Sequence, residues 1–283
     1  MPTFKITLAY DGTDFVGWQR QASGTSIQGL LEDALRDLDQ QEVVVIGAGR
    51  TDAGVHALGQ AASFVLARWT DADALVRALN ARLPACVRVL TAGRVSDAFH
   101  ARFGATKKTY RYRIWNGDVL SPFERRWAWH IAGTLDWQAM AAAATLIEGR
   151  HDFAAFRAAG GSTRSTVREV YSSCVFTGRR GLPSSPGDEA AGEDATGDAG
   201  APRLAGRAPV LITYEISGNG FLRHMVRAIV GTLADIGRGR RPIEWMGEVL
   251  AGRDRVLAGP TAPPQGLVLV GVEYDGGLLA AER

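Results

Sequence analysis

The stretch GAGRTDAGVHALGQ, residues 47–60, decides how the first half of the chain is read. A short apolar run, residues 43–46, enters it as a strand, and residues 60–66 leave it as another. Gly47, Gly49 and Gly54 make the connection a tight, exposed turn. A glycine-rich turn of this kind usually cradles phosphate with its backbone N–H groups. This one carries a carboxylate, Asp52, two residues after Arg50, and a carboxylate repels phosphate. Working outward, residues 4–10 alternate as a strand, and residues 11–21 (DGTDFVGWQRQ) read as a loop. From Ser26 onward, apolar residues fall at 27, 30, 31, 34, 35 and 38, a helix period with Ser26 as its N-cap. Residues 71–83 are helical and stop at Pro84, and residues 87–95 form a further strand. The resulting order, β-α-β-β-α-β, is that of a split βαβ unit, ferredoxin-like or RRM-like.

The second half has a compatible order. Residues 107–115 alternate as a strand, and residues 137–147 are an Ala-rich helix. Residues 167–177 and 210–217 read as paired strands. FLRHMVRAIVGTLADIG (221–237) is a helix, residues 243–250 are another, and residues 267–274 close the chain as an apolar strand. Between the paired strands lies a Gly/Ala/Pro/Asp-rich stretch with almost nothing to bury, expected as a disordered insertion at about 179–208. The expected fold is α/β (α+β): two ferredoxin-like domains, 1–104 and 105–283, with their sheets side by side. No repeat at the residue level supports this.

The 283 residues suit two domains, and 46% apolar with 22% charged residues is ordinary for a globular protein. No apolar run reaches the ~18 residues needed to span a bilayer, so no membrane association is expected. The N-terminus, MPTFKITLAY, lacks the charged-then-apolar layout of a signal peptide. Cys86 and Cys174, far apart in apolar surroundings, read as buried, reduced thiols of a cytoplasmic protein. Five scattered histidines and no Cys pair provide no metal-site spacing. The net charge of +2 is unevenly spread: residues 181–202 hold five acids and no base. Without them 32 basic residues face 25 acidic ones, a balance of +7. That excess permits a nucleic-acid partner without establishing one.

Asp52 can be read as an Asx-turn residue that bonds the backbone two positions on. Its neighbours suggest more: Arg50 beside it, Thr51 to tie the loop down, and Gly54 to clear space for a ligand. To work as an ionised group it needs a cation. On the 221–237 helix, Leu222, Val226, Ile229, Leu233 and Ile236 form a stripe. Arg227 lies off its edge near Arg223, four residues earlier. Either these are two solvated arginines, or Arg227 pairs with Asp52 across a cleft. In TKKTYRYRIW (106–115), Lys107, Lys108, Arg111 and Arg113 interleave with Tyr110 and Tyr112, which share one strand face. Cations that meet phosphate beside rings that stack on bases suit nucleic acid; the alternative is a half-exposed strand with an ordinary basic face. GWQRQ (17–21) and DAFHARFGATKK (97–108) add Trp18, Arg20, His100 and Arg102. His56 and His100 read as packing or hydrogen-bonding residues rather than catalysts.

YDGTDFVGWQRQ, GAGRTDAGVHALGQ, FHARFGATKKTYRYRIWN, DFAAFR and NGFLRHMVRAIVGTL occur in an order and at spacings that resemble the tRNA pseudouridine synthase A (TruA) family. The likeness covers nearly the whole chain except the acidic insertion. GRTDAGVHA with HMVR downstream is a highly specific combination.

The resemblance implies conversion of uridine to pseudouridine at positions 38, 39 and 40, in the anticodon arm of tRNA. It implies the pseudouridine synthase fold, two α/β domains whose sheets join across a central basic cleft, and a homodimer holding one tRNA arm. It places the catalytic aspartate at Asp52, the stacking tyrosine at Tyr110 and the arginine partner at Arg227. Arg50 matches the loop arginine expected to hold RNA and the flipped nucleotide. Arg20, His100, Arg102, Lys107, Lys108 and Arg223 are expected to contact the RNA. The reaction is an isomerisation, so no redox cofactor, metal or nucleotide is required. Three alternatives stay open: the same chemistry on another RNA site, a non-catalytic tRNA-binding protein, and a metal-free nucleoside or nucleotide hydrolase.

Overall fold

The alternation read at the start of the chain is a strand, β1 (Thr3–Tyr10), with Phe4, Ile6, Leu8 and Tyr10 buried. The computed structural model describes residues 1–68, 71–160, 165–178 and 208–275. Except for its last residue, the insertion expected at about 179–208 lies outside them. α1 (Ile27–Asp39) begins where its cap predicts: the Ser26 hydroxyl accepts from the Gly29 N–H, 3.1 Å. Its apolar face, Ile27, Leu31, Ala34 and Leu35, joins the β1 residues in one core.

The run at 43–46 is not the expected strand. The ladder holds only β2 (Ile46–Gly47). The backbone before it is paired with α1 side chains instead: Val45 N–H donates to Glu32 Oε1 (3.3 Å), and Gln28 Nε2 donates to the Val45 carbonyl (3.0 Å). Those bonds satisfy the polar groups that a strand would otherwise pair. β3 (His56–Val65) starts four residues earlier than expected. α2 (Ala72–Asn80) ends ahead of Leu83, and the Asn80 amide exchanges two bonds with the Val89 backbone of β4 (Val87–Val95).

The second half contains β5 (Ala105–Asn116), β6 (Trp129–Ile131), α3 (Trp137–Thr145), β7 (Gly149–Asp152), β8 (Val167–Thr177) and β9 (Val210–Gly218). It continues with α4 (Met225–Gly237), α5 (Trp245–Gly252) and β10 (Leu267–Tyr274). All the strands form one sheet, ordered β4-β1-β3-β10-β5-β9-β8-β7, with β2 beside β3 and β6 beside β5. Each half therefore follows the ferredoxin-like order, β4-β1-β3-β2 in the first and β10-β5-β9-β8 in the second. The halves meet along a short parallel seam, Val268 opposite His56 and Leu269 opposite Ala57.

Two expectations need correction. The 221–237 helix begins only at Met225, because His224 adopts a left-handed conformation (φ 61°). Nor does it show a single apolar stripe: Met225, Ala228, Val230, Gly231 and Ala234 are buried as fully as the predicted positions. α3 packs along it, and residues 258–262 cover another side, with Gly259 N–H bonded to Thr232 Oγ1 at 2.9 Å. The cysteines, expected to be buried, are both exposed. Cys174 points outward on β8 between the buried Ser173 and Val175, as strand alternation requires. Cys86 lies in the turn before β4.

Candidate active site

Because β2 stops after two residues, residues 48–55 are released from the ladder and held by other bonds. Ala48 N–H donates to the Ala61 carbonyl (2.8 Å), and Gln60 Nε2 donates to the Gly49 carbonyl (2.9 Å). Thr51 ties the middle down: its hydroxyl meets the Tyr10 hydroxyl at 2.8 Å, and its carbonyl accepts from Trp18 N–H at 3.0 Å. Gly54 turns the chain with φ 76°, a conformation that suits glycine. Gly47 does not face outward as an open space for a ligand. A β-carbon there would lie 2.4 Å from the Trp18 indole, so packing against Trp18 requires glycine.

Asp52 stands at the crest of this loop, 28% exposed at its side chain. Its Oδ2 lies 3.2 Å from Nη1 of Arg227 on α4 and 3.4 Å from Nε2 of His224. The arginine is oriented from behind, since its Nε donates to the Ala262 carbonyl at 2.7 Å while Ala262 N–H donates to the Arg227 carbonyl. The late start of α4 aims His224. A left-handed residue at that position leaves the helix without a side-chain cap and turns the imidazole toward Asp52. Burial lowers the His224 pKa; Asp52 opposes this, and Arg227, Arg223 and Arg255 reinforce it.

Tyr110 lies beneath the loop. It is buried, and its ring meets Phe221 edge-on at 5.2 Å. Its hydroxyl and Lys108 Nζ converge on Gly49, 3.9 and 3.7 Å from where a β-carbon would sit. Burial, aided by Tyr10 and Asp52, pushes the Tyr110 phenol far above its ordinary value. Lys108 donates to the Ala48 carbonyl at 2.7 Å. Burial lowers its pKa to about 8, with Arg102 and Arg168 adding to the effect.

Tyr110 and Tyr112 share a buried face as expected, but most cations of β5 have carboxylate partners. Arg111 pairs with Glu215 (2.7 Å), Arg113 with Glu124 (2.9 Å) and Lys107 with Glu273 (3.0 Å). Arg20 is held by Glu32 and Asp33 of α1, each at 3.1 Å. Arg50 is exposed and has no ion pair among the described residues. Arg223 lies outside the helix, exposed, and donates to the Ala159 carbonyl. His100 bonds its own turn, accepting from the N–H groups of Arg102 and Phe103. His56 is buried: Gly12 N–H donates to Nδ1, and Nε2 meets the Gln265 carbonyl. A cavity of about 280 Å³ beside His56, Arg113 and Trp127 does not include Asp52.

The sequence reading missed His224 and Gln60. His224 had a signal, its place three residues before Arg227 in HMVR, but a continuous helix read through it concealed the turn. Gln60 sits in a strand-like run where nothing marks it; only the structure shows it bonding the loop.

Comparison with known proteins gives a consistent result. The pattern of the tRNA pseudouridine synthase family matches residues 6–104 and 143–275. A tRNA pseudouridine synthase A of Myxococcus xanthus is 44% identical over 277 residues, covering 98% of this chain and 94% of that protein. The protein of the same name from Syntrophotalea carbinolica is 42% identical and covers 97% of each chain. That from Moorella thermoacetica is also 42% identical, covering 97% of this chain and all of that one.

Proposed function

Since this chain belongs to the tRNA pseudouridine synthase family, we propose that it isomerises uridine to pseudouridine in tRNA. The targets are positions 38, 39 and 40 of the anticodon arm. The observation that carries the site assignment is the Asp52–Arg227 contact, 3.2 Å across the seam between the two halves, with Tyr110 below it.

The chemistry breaks the N1–C1′ bond of uridine, turns the uracil and joins C5 to C1′. N1 gains a proton and C5 loses one, so the atoms balance without a redox partner. The target base must first leave its stack; Arg50, exposed at the loop, is suited to the vacated space or a phosphate. Asp52 acts on the sugar, as nucleophile or as base. Arg227 orients it by donating to Oδ2, and His224 stands beside the same oxygen at 3.4 Å. Tyr110 supports the uracil with its ring, and its hydroxyl relays the C5 proton, accepting it as it passes its own to a neighbouring acceptor and on to water, because burial disfavours a free phenolate. Arg102, Lys108 and Arg223 lie on the RNA path; Arg20, His100 and Lys107, tied to neighbours of their own, make weaker contacts. Two copies share the basic surface as a homodimer in the cytoplasm. No helix among the described residues is long and apolar enough to cross a membrane.

The test is tRNA tritiated at uracil C5, incubated without added metal or nucleotide. Release of tritium to water, mapped to the anticodon arm, is expected of the wild type. Absence of release from protein that is folded and binds tRNA would reject the reading.

A further inference from the structure

Phe103 is 77% exposed, unusual for a phenylalanine whose ring is held in place. The ring packs at a tilt against His100, with centroids 4.4 Å apart and planes 32° apart, and the Arg102 guanidinium lies 5.6 Å from its centre. The turn is rigid. His100 Nδ1 accepts from two N–H groups, and Gly104 N–H closes onto the His100 carbonyl at 2.9 Å. Ala101 is fixed at both ends of its peptide: its N–H donates to Ser63 Oγ on β3, and its carbonyl accepts from the Tyr274 hydroxyl on β10. Phe103 is thus presented outward from an anchored base.

The charges beside it point to the partner. Lys108 lies opposite Gly218 on β9, and Gly218 opposite Val170 on β8, two residues from Arg168; Arg102 and Arg168 both raise the electrostatic cost of the Lys108 charge. None has a carboxylate partner among the described residues; Lys108 and Arg168 bond only backbone carbonyls. Lys108 in turn touches the Asp52 loop at Ala48. Phe123 makes the contrast. It is 87% exposed, but the nearby Arg126 faces Asp11 and Asp14. Among the described residues, Phe103 combines a supported ring with unneutralised cations leading to the catalytic loop.

We propose that the 99–104 turn is a base-stacking element: Phe103 takes an unpaired base of the RNA, and Arg102, Lys108 and Arg168 take the phosphates next to it. Stacking on an aromatic is tolerant of base identity, and a cationic track sets the path of the strand. The proposal rests on the RNA reading above and adds a contact outside the reacting centre.

The experiment compares Phe103→Ala, Phe103→Leu and Phe103→Trp in the full chain, by tRNA affinity and by single-turnover tritium release. Phe103→Ala is expected to weaken tRNA binding roughly 5- to 150-fold, with the salt dependence of binding unchanged. Phe103→Trp is expected to bind as wild type and Phe103→Leu as poorly as alanine. Arg102→Ala, by contrast, flattens the salt dependence by about one phosphate contact. Affinity within twofold of wild type for Phe103→Ala, or full function for Phe103→Leu, would overturn the proposal. So would a loss of binding accompanied by a drop to monomer mass, which makes a second copy of this chain the occupant. If wild type binds tRNA but releases no tritium, the isomerase reading fails, while the Phe103 series still decides this one by affinity.

Discussion

The two halves of the sheet share one strand order and differ most where β2 and β8 correspond. β8 runs eleven residues and pairs along β9, whereas β2 is two residues long. In the first half, the chain freed by that shortening lies over the sheet as residues 48–55 and carries Asp52. The second half keeps its ladder and supplies Arg227 and His224 from the start of α4. Each half alone is incomplete, because the acid and its donors come from opposite sides of the seam. Two halves with one strand order form a site here where pairing stops on one side while the other stays regular.

The strongest way to break this comparison is to remove the acid. Asp52→Asn keeps the size of the side chain and is expected to lower tritium release on the order of 10³-fold or more, with tRNA affinity within a few-fold. Near-normal turnover would mean that the shortened half carries no catalytic group. Next comes the donor from the regular half. Arg227→Ala removes the bonds to both Asp52 and Ala262 and is expected to slow single turnover on the order of 10²-fold. It should also cost about 2 kcal/mol of stability, read by denaturant unfolding. Arg227→Lys keeps the charge but not the planar fork, so a full rescue would show that charge alone suffices.

Tyr110→Phe sharpens the picture at the seam. It is expected to bind tRNA normally and release tritium about 10²-fold more slowly, the usual scale for a lost proton-transfer group. A rate near wild type would mean that stacking is enough.

Lys108 provides a pH test. Its folded pKa is about 8 against an ordinary 10.5. Above pH 8 it loses charge, so tRNA affinity should fall there at fixed salt, and Lys108→Arg should remove that limb. Stability moves the opposite way. Between about 8 and 10.5 the unfolded chain holds the proton that the folded chain has released, so stability from this group rises with pH. A thermal melt series across pH 8 to 10 on wild type and Lys108→Arg checks the sign.

The smallest effect distinguishes the two helix starts. Ser26→Ala should cost about 1 kcal/mol through the cap of α1. α4 has no side-chain cap to lose, because His224 is turned to Asp52 instead.

Much of this was legible in the residues. Strands at 87–95, 167–177 and 267–274 coincide with β4, β8 and β10 because each alternates or stays apolar between clear turn signals. The Ser26 cap was readable for the same reason, as its bond is local. The readings at 43–46 and 221–224 failed for a shared reason. Apolar runs and helix periods report burial, and both segments are near the core, but their backbone geometry is set by partners distant in sequence. Glu32 and Gln28 hold Val45 out of the ladder, and residues 258–262 with Asp52 accompany the late start of α4.

By itself, the sequence determined most of the element types, the doubled order of the principal strands and helices, and the residue kinds available at the candidate site, since these depend on neighbours a few positions away. Only the tertiary structure decided that Asp52 and Arg227, 175 positions apart, meet at 3.2 Å, that His224 joins them, and that three of the four cations on β5 are already paired. Such contacts depend on how β3 and β10 are brought together, and no local pattern of residues encodes a distance across that seam.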